Sequence, residues 1–133
     1  MNFQELKEIA LKNPKGKIVS RDAAGHDGVN SGSWNRTDCT LDVIEDIKQG
    51  LRRLNNIPRV MMMHPATYSN LVGAISFEEL YQLGAVFGCA PHDRSWLDVK
   101  DDYAEGEVLI IARAQEPYLA RGPDPAIVYI DTR

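Results

Sequence analysis

The stretch Ile57-Pro58-Arg59-Val60-Met61-Met62-Met63-His64-Pro65-Ala66-Thr67-Tyr68-Ser69-Asn70-Leu71-Val72-Gly73 decides the fold. Val60–Met63 is apolar with no alternation, so a strand there has both of its faces covered. Three consecutive methionines read as flexible fillers of a buried layer. Pro65 suits the first turn of a helix, where its missing N–H costs nothing, and Gly73 suits the end of one. His64, between strand and helix, reads as the residue that starts the helix rather than as a ligand. A doubly covered strand running straight into a helix implies helices packed on a sheet.

The segments on either side extend that pattern. Residues 2–12 place Phe3, Leu6, Ile9 and Ala10 on one helical face, and Asn13-Pro14 stops the helix, because a residue before proline avoids the helical region. Lys17–Ser20 is a short strand candidate. Residues 40–55 form the clearest helix, with Leu41, Ile44, Ile47, Leu51 and Leu54 in one stripe and Thr40 or Asp38 available as a cap. Acidic residues early and Arg52-Arg53 late follow the helix dipole. Gly50 weakens that helix by up to about 1 kcal/mol relative to alanine, which points to a close neighbour. Ser76 and Glu79 make a capping box, with Ile75 placed to staple onto Leu80, so a helix runs from there to Phe87. Strands are expected at Glu107–Arg113, Pro117–Arg121 and Ala126–Asp131, the last two pairing as a hairpin around Gly122-Pro123-Asp124-Pro125. Asp98, Asp101, Asp102 and Glu105 around Tyr103 lack the spacing of a calcium loop and read as a solvated connection. The fold class is therefore α+β, with short helices covering a mixed β-sheet.

Residues 21–38 stand apart. Gly25, Gly28 and Gly32 alternate with Asp, Asn and Ser, and only Val29 and Trp34 are large and apolar. A stretch of this length and composition reads as a flexible, functional loop within a single domain spanning 1–133. Trp34 belongs either to the core of the chain or to a contact with an adjoining subunit. Deleting residues 24–35 is expected to abolish assembly while leaving the fold.

The 133 residues are 44% hydrophobic and 26% charged, enough for one domain with a real core. The net charge of −4 argues against nonspecific nucleic-acid binding through a basic face. No run approaches the about 20 apolar residues of a membrane span, and the N-terminus lacks the apolar core of a signal peptide. Cys39 and Cys89 lie far apart in unlike contexts, as free thiols of a reducing compartment.

Few residues invite chemistry. Cys89-Ala90-Pro91-His92 has C-x-x-H spacing, but a structural zinc ion needs four converging ligands and no second pair accompanies it. Asp22 and His26 sit on the 21–28 loop, where they could perform acid–base work with His64 or His92 in a small cytosolic enzyme. Aspartate and glycine are also the ordinary content of a turn-rich loop, and no phosphate-loop, nucleophile-elbow or HExxH pattern occurs. No catalytic, cofactor-binding or metal-binding residue is assigned.

Three segments together resemble one family. Asp42–Ile47, then Pro58–Tyr68 with Leu71, is similar to the helix–strand–helix core of the axial domain of tailed-bacteriophage major capsid proteins, where an apolar strand ends in a His/Asn-Pro entry to a helix. Gly84–Pro91 and Gly106–Arg113 resemble the segments that follow it, so the likeness covers about residues 40–113. Such subunits also carry an N-terminal arm, a spine helix and a long hairpin loop, none of which is legible in this sequence. The resemblance implies a virion structural protein made in the host cytoplasm, a homo-oligomer whose partners are itself and other virion proteins. It implies neither membrane nor specific nucleic acid, and no catalytic role. A tail, neck or decoration protein is the alternative within the same setting. Interface residues are then expected in the loop, at Asp27, Val29 and Trp34, and on the late strands, at Tyr118 and Tyr129.

Overall fold

The computed structural model describes residues 1–20, Trp34, 40–113 and 123–133, with residues 40–42 described by backbone alone. In chain order the elements are α1 (Phe3–Leu11), β1 (Lys17–Val19), α2 (Thr40–Arg53), β2 (Pro58–Met63), α3 (Pro65–Ala74), α4 (Phe77–Val86), β3 (Leu97–Val99), β4 (Glu107–Ala112) and β5 (Ile127–Asp131). The strands form one mixed sheet in the order β1-β5-β4-β2-β3. Its centre is antiparallel, β2 on β4 and β4 on β5, while each outer strand pairs in parallel, β1 on β5 and β3 on β2. This is the expected α+β class.

The unbroken apolar runs are explained by two covered faces. Met61 and Met63 join Val108, Ile110, Val128 and Ile130 in a large core with α2, α3 and α4. Met62 turns the other way and joins Leu109, Ile111, Ile127 and Tyr129 beneath Phe3, Leu6 and Ala10 of α1. Gly50 has the neighbour its presence implies: a Cβ there would lie 2.9 Å from Ile110 Cδ1, so glycine lets α2 settle close onto the sheet. Gly84 plays the same part in α4, where a Cβ would lie 2.8 Å from the indole nitrogen of Trp96. Trp96 is fully buried and stacks on Phe87 with ring centroids 5.1 Å apart.

The helix starts follow local chemistry. Ser76 and Glu79 form the predicted reciprocal capping box, and Asn2 with Glu5 forms another at α1. His64 is the N-cap of α3: its Nδ1 accepts from the Ala66 N–H at 3.0 Å, and Pro65 opens the helix. Replacing His64 by alanine is expected to lower stability by about 1 kcal/mol, and by asparagine to restore most of it. Equal urea midpoints for the wild type and the alanine variant would remove the cap from this account.

One expectation changes. Leu97–Val99, inside the acidic stretch read as a solvated connection, is strand β3, and Tyr103 is 9% exposed, so this segment is built into the fold. The Pro117–Arg121 strand of the expected hairpin lies outside the described residues, as does residue 38, a candidate cap for α2. Beside β5, β4 pairs along Ile127–Asp131 and β1 pairs with Tyr129, Ile130 and Asp131.

Candidate functional site

On the α1 side the sheet is only partly covered. Phe3, Leu6 and Ala10 lie over β4, β5 and Met62 of β2, and among the described residues no further helix covers the sheet toward Val60 and Asp98. A groove of about 540 Å³ follows, with Leu6, Val60, Met62 and Ile111 as apolar lining and Arg59 and Asp98 as its charged residues. Arg59 enters it through an irregularity in the ladder. Pro58 pairs with Ala112 and Val60 with Ile111, so Arg59 is the extra residue of a β-bulge. Bulges re-aim side chains, and this one presents an exposed guanidinium that makes no hydrogen bond or ion pair with the described residues.

Asp98 is held from within. Its Oδ2 accepts from the Tyr103 hydroxyl at 2.6 Å, and Lys100 Nζ lies 3.7 Å from Oδ1. Burial, then the Asp98 carboxylate, pushes the Tyr103 phenol far up, so it stays a donor across the neutral range. Tyr103 in turn stacks on Phe3, with centroids 5.1 Å apart. The groove's two charged residues thus differ: Asp98 is held by Tyr103, and Arg59 has no partner among the described residues.

A second polar cluster joins α1 to β4 and β5. Glu107, 5% exposed, takes the Lys7 ammonium and the Tyr129 hydroxyl (2.7 Å), with Arg133 3.8 Å away. Burial alone would raise the Glu107 carboxyl, but the hydrogen bonds from Lys7 and Tyr129 and the charges of Lys7 and Arg133 outweigh it and hold it below the usual glutamate value. Burial, then Glu107, pushes the Tyr129 phenol far up. The groups satisfy one another and tie α1 to the sheet.

The predicted site residues scatter. Trp34 is 1% exposed in the large core, its indole N–H donating to the buried Asp46 at 2.8 Å and its backbone N–H to the Thr132 carbonyl at 2.9 Å. It therefore occupies the core of the chain, the first of its two expected positions, and deletion of residues 24–35 would remove a core side chain. Tyr129 is 3% exposed beneath α1 and, in this fold, is an internal hydrogen-bond donor rather than a contact surface. Asp27, Val29 and Tyr118 lie outside the described residues, as do Asp22 and His26. His64 follows the C-terminal end of β2, whereas His92 precedes the start of the parallel β3 and meets the edge of the Tyr81 ring at 6.2 Å. No described contact joins the two histidines. Cys89 Sγ lies 3.6 Å from the Ser95 hydroxyl. Among the described residues no group of three or more His, Cys, Asp or Glu side chains converges as a metal site would require, and no helix is long and apolar enough to cross a membrane.

The sequence reading missed the groove. Only Arg59, a charge at the head of an apolar strand, hinted at it; the rest depends on where α1 comes to lie. No protein-family model, characterised protein or solved structure matches the chain.

Proposed function

We propose that the chain is a non-catalytic structural subunit of a bacteriophage virion, acting by self-assembly or by binding other virion proteins. One observation carries the assembly part: a groove of mixed apolar and polar lining, with an arginine that has no partner among the described residues, lies beside an outer strand of the sheet. A groove of mixed polarity, next to a strand whose outer side is open among the described residues, is what protein partners dock on. The virion setting rests on the resemblance of residues 40–113 to a capsid axial domain. Light scattering across a concentration series tests the first part: a mass above that of the monomer, rising with concentration, is expected, and a strict monomer at high micromolar concentration would overturn self-assembly. Gene neighbourhood tests the second, since flanking portal or tail genes are expected and a neighbourhood without any virion genes would remove the setting.

A further inference from the structure

The two outer strands of the sheet differ in a way that selects a partner. At β1, Gly16 and Ile18 face β5, with the Gly16 carbonyl accepting from the Tyr129 N–H at 2.7 Å. The outward carbonyl of Lys17 is taken by the Arg53 guanidinium at 2.8 Å, with the Lys15 carbonyl 3.5 Å from the same nitrogen. That edge is closed by a charged side chain, a common guard against strand addition. At β3 the Trp96 carbonyl accepts from Met61 (2.8 Å) and the Lys100 N–H donates to Met63 (3.2 Å), so residues 96, 98 and 100 face β2. Leu97 and Val99 face outward. The Leu97 N–H turns back onto the Arg94 carbonyl at 2.9 Å, while neither backbone group of Val99 meets a partner among the described residues.

The charges around this open edge are self-complementary. Arg94, whose guanidinium donates to the Pro91 carbonyl at 2.9 Å, stands with Asp93 and with Arg59 of the adjoining strand at the N-terminal end of β3, a net positive end, and Asp101 and Asp102 follow Lys100 at its C-terminal end, a net negative one. Asp98 and Lys100, two residues apart, share the face that carries the groove. We propose that β3 pairs antiparallel with β3 of a second copy, about a two-fold axis through Val99. Each Val99 then exchanges both backbone hydrogen bonds with its counterpart. Each Asp98 stands opposite Lys100 of the other copy, in the closer, non-hydrogen-bonded position where side chains interact best. The arginine end of each strand meets the acidic end of the other. An isologous contact of this kind closes on itself, and the guarded β1 edge keeps the sheet from growing into a fibre. The proposal rests on the self-assembly reading above, to which it adds the surface, the register and the number two.

Two variants test it by light scattering. Val99→Pro removes the outward N–H without breaking a bond to β2, and Lys100→Glu sets like charges opposite Asp98 on both sides of the axis. Circular dichroism matching the wild type shows that each variant folds. Both are expected to weaken a wild-type dimer about tenfold or more, since each alters interactions twice by symmetry. A wild-type dimer indifferent to both variants would overturn the β3 interface while self-assembly stands. A monomeric wild type overturns both.

Discussion

Replacing Trp34 by alanine is expected to destabilise the chain by about 3–5 kcal/mol, a large share of the 5–15 kcal/mol typical of a domain. The side chain is 1% exposed among the residues that fill the large core, so its loss leaves a cavity where surrounding aliphatics can relax only in part. The chemistry adds to the volume. Trp34 Nε1 donates to the carboxylate of Asp46, which is wholly buried on α2, and the Trp34 backbone bonds to Thr132 just beyond β5. One residue therefore links a helix to the end of a strand across the core. The midpoint of thermal unfolding is expected to fall by roughly 10–20 °C for a chain of this size. Trp34→Phe separates the two contributions: it keeps most of the apolar volume but removes the donor, and is expected to cost about 1–3 kcal/mol from the Asp46 bond. A loss below about 1 kcal/mol for the alanine variant would contradict core packing and return Trp34 to a contact between subunits.

That loop tryptophan marks where sequence reading reaches its limit. Local signals were legible because they act over a few residues. Ser76 and Glu79 announce a helix start, Pro65 places another, and the stripe of α2 follows its period. Gly50 even pointed to a neighbour, since glycine inside a helix has an intrinsic cost that close packing can offset. Long-range pairing left no such trace. Lys7 and Glu107 are 100 positions apart and meet only because α1 crosses the sheet. Strand β3 was hidden because three residues cannot display a period, and Asp98 beside Asp101 and Asp102 reads as solvent-facing until Tyr103 is placed on its carboxylate. The groove is the same kind of feature: its walls belong to elements distant in the chain, and its opening depends on how far α1 extends over the sheet. The β-bulge at Arg59 arises from the register between two strands, which neither strand encodes alone.

The Lys7–Glu107–Tyr129 cluster should show itself in the response to acid. The Glu107 carboxyl is lower in the folded chain than in the unfolded one, so its contribution is fully present above the unfolded value and is lost as the pH falls through the folded value. Asp131 acts in the same direction: burial would raise it, but hydrogen bonds and charge from Arg133 hold it below the ordinary aspartate value. Stability is therefore expected to decline as the pH drops below about 4.5, near the unfolded carboxylate range. The tyrosine takes no part in this, because burial and Glu107 keep its phenol protonated throughout. Glu107→Gln keeps the shape and removes the charge, so it is expected to cost about 1.5–3 kcal/mol at pH 7, the range for hydrogen bonds to a charged group. The same variant should lose part of the acid slope, so that its urea midpoint approaches that of the wild type as the pH is taken from 7 to 3. Unfolding curves at pH 7, 5 and 3 decide the matter. Midpoints that stay separated by the same amount at all three would show that the Glu107 charge does not hold α1 to the sheet, and the helix would then be retained by the packing of Phe3, Leu6 and Ala10 alone.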